Sequence, residues 1–129
     1  MIVGTGVDMV AVKRIQGAVD RHGDRFLKKI FTPAELEYSR NRARMFEHLA
    51  ARFAAKEGVL KALGTGAARG ATLRDVEVVN DELGKPTIRL HGHTRCLADE
   101  QQVRRIHLSI SHTDDLAIAQ VVMERAETG

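Results

Sequence analysis

Two carboxylates stand where the surrounding pattern calls for apolar side chains. In the stretch "RFAAKEGVLKALGTG", the apolar stripe Phe46, Leu49, Phe53, Leu60, Leu63 runs at helical spacing through position 57, which holds Glu57. In "MIVGTGVDMVAV", strand alternation places Val3, Val7 and Met9 on one face and Gly4, Gly6 and Asp8 on the other. A buried carboxylate without a cation or a hydrogen-bonding network is costly. A glutamate at the domain edge, paired with Lys61 four residues on, accounts for position 57 as well. If Asp8 and Glu57 instead share the space left bare by Gly4 and Gly6, they suit a hard divalent cation such as Mg²⁺. Such an ion takes one or two protein carboxylates and completes its shell with water and phosphate oxygens. The sequence has no HxxxH pair and no CxxC, so zinc and iron sites lack support.

Phosphate chemistry is suggested next to Glu57. Lys56, Lys61 and the Gly64-Thr65-Gly66 turn put positive charge and permissive backbone close to the carboxylate. The order is not that of a P-loop, because the glycines follow the helix instead of opening it. A glycine in that place also serves as an ordinary helix C-cap. Ser109 and Ser111 precede His112 on one strand, but no GxSxG elbow accompanies them and no third triad member is marked. His107 shares their strand face; His22, His48, His91 and His93 carry no signal of their own.

The elements that must position these groups can be read from periodicity and caps. The first twelve residues form a strand, and "VKRIQGAVDRHG" a helix with a basic side that ends at Gly23. "DRFLKKIF" is a short helical element. Thr32, Pro33 and Glu35 then make a capping box at the start of the next helix. The long helix spans about Arg44 to Leu63, and 64–72 form a loop. Two strands joined at "DELG" follow, then a short helix, then the strands "RIHLSIS" and "LAIAQVVME" turning through "HTDD". The order predicts an α+β fold, a mostly antiparallel sheet with the long helix packed on it, in one domain over residues 1–129. Gly58, inside the long helix, weakens it relative to Ala and has no functional reason in the sequence.

Composition narrows the classes. With 43% hydrophobic and 29% charged residues the chain is an ordinary globular protein, and no run reaches the length of a membrane span. One cysteine, Cys96, precludes an internal disulfide and fits a reducing, cytoplasmic setting. Residues 1–61 carry twelve Lys/Arg against seven Asp/Glu, and residues 62–129 eight against ten. The basic first half suggests an acidic partner, although a solvated charged surface gives the same count. Five Phe/Tyr and no Trp make a thin stacking surface for nucleic acid.

The blocks "GTGVDMVAVKRI", "IFTPAELEYS", "RFAAKEGVLKALGTG", "VVNDELGKPTIRL" and "IHLSISHTDDLAIAQVVME" occur in this order over nearly the whole chain. In them the sequence resembles the holo-[acyl-carrier-protein] synthases, the short bacterial branch of the 4′-phosphopantetheinyl transferases. Two departures stand out: position 58 is usually Ala in this motif, and the loop "GTGAARGATLRD" lacks an aromatic that many relatives carry.

The resemblance implies transfer of the 4′-phosphopantetheine arm of coenzyme A to a serine of apo acyl carrier protein. It implies Mg²⁺ dependence, release of adenosine 3′,5′-bisphosphate and a place in fatty acid biosynthesis. By the same resemblance Asp8 and Glu57 bind the metal, Lys61 lies near the pyrophosphate, and Gly64, Thr65 and Gly66 pass close to the coenzyme. Arg52, Lys85, Pro86 and His112 are implied as coenzyme contacts. Arg14 is the implied anchor for the acidic carrier, assisted by Arg21, Arg25, Lys28 and Lys29. The proton of the carrier serine is expected to go to Glu57, or to a metal-bound water oriented by Glu57 or Asp8. The short branch is similar to homotrimers with inter-subunit sites, without nucleic-acid or membrane partners. Two other classes compete: a non-catalytic basic module that binds an acidic protein or nucleic acid, and a Mg²⁺-dependent phosphatase or nucleotide hydrolase.

Overall fold

The computed structural model describes residues 1–40, 42–64 and 68–127. Strand β1 (Ile2–Ala11) leads into α1 (Val12–His22), α2 (Asp24–Ile30), α3 (Pro33–Arg40) and the long helix α4 (Met45–Leu63). The chain continues through β2 (Val76–Asn80), β3 (Pro86–Leu90), α5 (Gly92–Glu100), β4 (Val103–His112) and β5 (Leu116–Arg125). The α+β order expected from the sequence is present. β1, β5 and β4 form a three-stranded antiparallel sheet with β5 central, and β2 and β3 pair separately as an antiparallel hairpin.

Local chemistry explains the boundaries. α1 stops where Gly23 takes φ 55°, and α4 where Gly64 takes φ 75° and donates its N–H to the Lys61 carbonyl at 3.0 Å. The capping box at α3 forms as expected. Glu35 N–H donates to Thr32 Oγ1 at 3.2 Å, and Thr32 N–H donates to Glu35 Oε1 at 2.9 Å. At the β2–β3 turn, Asp81 Oδ1 accepts the N–H groups of Leu83 and Lys85, both at 2.9 Å, ahead of Gly84 at φ 85° or just past it.

α4 lies across the inner face of the three-stranded sheet. Val10 of β1, Ala117, Ala119, Val121 and Met123 of β5 and Leu108 of β4 meet Ala51, Ala54, Ala55, Val59 and Ala62 of the helix in one buried cluster. Two expectations need correcting here. The helix is buried on most of its circumference, so its principal core face is the run of small residues at 50, 51, 54, 55, 58, 59 and 62. Phe46, Glu57 and Leu60 sit at the margin of that buried surface. The Gly4–Gly6 face of β1 is also not bare, because α4 occupies it. A Cβ on Gly4 would stand 2.1 Å from the Ala62 carbonyl oxygen, and one on Gly6 would stand 2.0 Å from that of Gly58. Only glycine lets the strand and helix backbones touch in this way.

A buried ion pair ties α4 to the rest of the fold. Lys56 Nζ donates to Glu35 Oε1 at 2.7 Å, to the Leu73 carbonyl at 3.2 Å and to the Val76 carbonyl. Glu35 Oε2 accepts the Val78 N–H at 2.9 Å. One residue pair thereby joins α3, α4 and the start of β2. Burial pushes the Lys56 ammonium below its ordinary value, and Glu35 opposes that shift. Lys56 is therefore a structural clamp and cannot reach a phosphate, contrary to its expected place beside Glu57 and the glycine turn.

Candidate active site

Asp8 comes from β1 and Glu57 from the adjoining margin of α4, with the glycine-mediated backbone contact between them. Lys61, one turn beyond Glu57, donates to Asp8 Oδ1 at 2.8 Å and to the Val7 carbonyl at 3.2 Å. The helix-internal pairing of Lys61 with Glu57 considered from the sequence is thus replaced by a helix-to-strand bridge. Burial holds the Glu57 carboxyl above the usual carboxylate range, and the negative charge of Asp8 adds to this. Lys61 and Arg14 act in the opposite sense. Arg14 reaches the group from α1, its guanidinium 5.4 Å from the centre of the Phe53 ring. Asp8, Glu57, Lys61 and Arg14 are accordingly one electrostatic cluster built from three elements.

The donor set can be tested against a metal. Among the described residues no three His, Cys, Asp or Glu side chains come together as a ligand group. Two carboxylates close enough to influence each other, with cations around them, suit an ion whose remaining ligands are phosphate and water oxygens. That is the coordination habit of Mg²⁺.

A second polar cluster forms on another side of α4. Arg52 is buried, with its guanidinium 4.2 Å from the centre of the Tyr38 ring and its Nε without a hydrogen-bond partner. His112, at the end of β4, points Nδ1 to within 3.8 Å of Glu47 Oε1. Its ring lies 5.8 Å from that of His48, which also packs edge-on against Tyr38 at 5.8 Å. Arg42 lies over the same Tyr38 ring at 4.0 Å. Burial, followed by the charges of Arg52, His112 and Arg42, holds His48 below the ordinary histidine value. Arg42 and Arg52 thus share the Tyr38 ring next to His48 and His112, with the Glu47 carboxylate beside His112, a cluster rich in cations that suits an anion.

The remaining expected residues are dispersed. Gly64 caps α4 beside Lys61; Thr65 and Gly66 fall outside the described residues. Lys85 and Pro86 are at the β2–β3 turn, with Lys85 N–H held by Asp81 and Pro86 opening β3 opposite Asn80. Arg21 ends α1, and Arg25, Lys28 and Lys29 lie on α2, all exposed. The sequence reading missed Tyr38, Arg42, Glu47 and His48. The signal available was the spacing of His48, Arg52 and Lys56 at successive fourth positions, a polar row on a helix that is otherwise apolar there.

The 4′-phosphopantetheinyl transferase superfamily matches residues 4–121 of this chain. The holo-[acyl-carrier-protein] synthase of Solibacter usitatus is 50% identical over 124 residues, spanning 96% of this chain and 99% of that protein. Among solved structures, the holo-[acyl-carrier-protein] synthase of Neisseria meningitidis superposes with a TM-score of 0.89. It is 37% identical and covers 97% of this chain and 100% of its own. That of Bacillus anthracis, in complex with coenzyme A (3′,5′-ADP), has a TM-score of 0.79 at 37% identity, covering 98% and 99%.

Proposed function

The chain belongs to the 4′-phosphopantetheinyl transferase superfamily, and on that premise we propose how its residues divide the work of a holo-[acyl-carrier-protein] synthase. The reaction moves the 4′-phosphopantetheine arm of coenzyme A to a serine of apo acyl carrier protein. The serine oxygen bonds to the pantetheine-side phosphorus. The bond from that phosphorus to the bridging oxygen breaks, and adenosine 3′,5′-bisphosphate leaves with the electron pair.

Asp8 and Glu57 would hold Mg²⁺, which supplies a Lewis acid that offsets negative charge on the diphosphate. Lys61 donates to the oxygens of the departing phosphate. The serine proton goes to Glu57 or to a water oriented by Glu57 or Asp8. The observation that carries this reading is the cluster of Asp8, Glu57, Lys61 and Arg14. Neither a non-catalytic basic module nor a simple acidic-protein binder needs a half-buried carboxylate pair there.

Arg52 and His112 are the candidates for anionic parts of the coenzyme beyond the diphosphate, with Lys85, Pro86, Gly64, Thr65 and Gly66 as further contacts. Arg52 and Glu57 are five residues apart on one helix, so they project about 140° from one another. One molecule therefore presents the two clusters to different sides, whereas neighbouring copies can bring them together. The outer face of the sheet supports association of copies, a homotrimer with sites between subunits. On it Val7, Met9 and Ile118 are 55%, 63% and 42% exposed. The carrier meets the basic surface of α1 and α2 through Arg14, Arg21, Arg25 and Lys28. Its setting is fatty-acid biosynthesis in the cytoplasm.

The test is incubation with coenzyme A, Mg²⁺ and apo acyl carrier protein, followed by intact mass measurement of the carrier. Addition of one phosphopantetheine is expected in the presence of Mg²⁺ and not after chelation. A carrier modified equally well without any divalent ion removes Asp8 and Glu57 from the metal role. The double variant Arg21→Glu, Arg25→Glu should raise KM for the carrier and leave KM for coenzyme A unchanged.

A further inference from the structure

We infer that Lys61 is the counter-ion that reserves Asp8 in the free protein, so that a divalent cation enters the site together with the diphosphate and not alone. The inference rests on the reading of Asp8 and Glu57 as metal ligands.

Three observations carry it. First, the ammonium of Lys61 is not poised in solvent toward an incoming phosphate. It is bonded to Asp8 Oδ1 at 2.8 Å and to the Val7 carbonyl at 3.2 Å, so it already neutralises the carboxylate a cation would use. Second, the cluster is already balanced. Asp8 and Glu57 supply two negative charges, and Lys61 and Arg14 supply two positive ones. A divalent cation entering alone displaces an ammonium from its carboxylate and leaves the cluster with a surplus of positive charge. A diphosphate entering with the ion removes the surplus and gives the displaced ammonium new oxygen partners. Third, Lys61 can make the move. Its side chain is about half exposed, on a flexible four-carbon stem, in the last turn of α4 just before the Gly64 cap.

Coupling of this kind is reciprocal: the metal improves coenzyme binding by the same factor as the coenzyme improves metal binding. Lys61 thus has two successive partners. It bonds to a metal ligand in the free protein and to the departing phosphate in the complex, which suppresses unproductive occupation of the site by metal alone.

The test is a titration of the intact protein with Mn²⁺, in which electron paramagnetic resonance reads free Mn²⁺ with and without coenzyme A. The variants are Lys61→Met, Lys61→Arg and Asp8→Asn. Without coenzyme, Lys61→Met should bind Mn²⁺ about three- to tenfold tighter than the unmodified protein. Lys61→Arg, which keeps a cation, should stay close to the unmodified protein. Coenzyme A should tighten Mn²⁺ binding by a smaller factor in Lys61→Met than in the unmodified protein. If Lys61→Met binds Mn²⁺ alone no tighter, while Asp8→Asn weakens binding in the presence of coenzyme A, the reserving role is wrong and the metal site stands. If, with coenzyme A present, Asp8→Asn binds Mn²⁺ as well as the unmodified protein, the metal reading fails and this inference falls with it.

Discussion

The Lys56 ammonium meets the Glu35 carboxylate at 2.7 Å, and neither side chain is open to solvent. The pair is satisfied on both sides: Lys56 also donates to the carbonyls of Leu73 and Val76, and Glu35 also accepts the Thr32 and Val78 N–H groups. Removing one member strands the other charge in the interior. Lys56→Met should therefore lower stability by about 3–5 kcal/mol, measured by denaturant titration. Adding Glu35→Gln to that variant should recover part of the loss. A single variant as stable as the unmodified protein would contradict the clamp.

Glu57 should trade stability for function. Its carboxyl is raised above 4.5 in the fold, first by burial and then by Asp8. The folded protein thus binds more protons than the unfolded chain as pH rises through the window above 4.5, and stability declines through that window. Glu57→Gln removes the titration. In the metal-free protein at neutral pH it should melt above the unmodified protein, with the difference shrinking toward pH 4.5. Turnover should be lost. A neutral-pH melting point below that of the unmodified protein would refute the assignment of burial as the dominant cause.

The glycines of β1 and α4 should respond very differently to alanine. At Gly6 the new methyl would lie 2.0 Å from a main-chain oxygen, which can yield only if strand and helix separate. Gly6→Ala should cost at least about 3 kcal/mol. At Gly58 the methyl meets the Val121 Cγ2 at 3.1 Å, a side-chain contact that can relax by a few tenths of an ångström. The helix gains about 1 kcal/mol from replacing glycine, so Gly58→Ala should stay within about 1 kcal/mol of the unmodified protein. Equal losses at the two positions would show that the backbone contact is not the controlling feature.

Charge placed on the outer sheet face should dissolve any assembly. Met9→Arg combined with Ile118→Arg puts two cations on adjacent strands where large apolar side chains now stand exposed, directly opposite each other in the β1–β5 register. Light scattering should report a monomer, and turnover should fall with it if, as proposed, Arg52 and Glu57 of neighbouring copies share one coenzyme. A fully active monomer would overturn the inter-subunit site.

Much of the fold was legible because its signals are local. The Thr32–Glu35 box, the glycine stops at 23 and 64 and the alternation in β4 and β5 each depend on a few neighbouring residues. Asp8 and Glu57 were legible as misfits, since a carboxylate in an apolar pattern needs a reason wherever it stands. The burial of Lys56 was not legible, because its partner lies twenty-one residues away across a helix boundary. Nor could periodicity show that α4 is enclosed on most sides; it reports which residues align, not how many neighbours close around them. The purpose of Gly4 and Gly6 is hidden for the same reason: an absent side chain looks like vacant space until the element that fills it is placed. Gly58, unexplained in the sequence, offers its carbonyl oxygen to that same junction.

Because the Ala62 and Gly58 carbonyls sit where the Gly4 and Gly6 side chains would be, the spacing between Asp8 and Glu57 is gauged by two main chains in direct contact. Peptide planes have the same dimensions whatever residues they carry. Substitutions elsewhere in the interior can loosen or tighten the protein without recalibrating that gauge. If the two carboxylates hold an ion as proposed, its opening is hard to retune by exchanging neighbours: fitting a larger cation would require a different course of strand against helix.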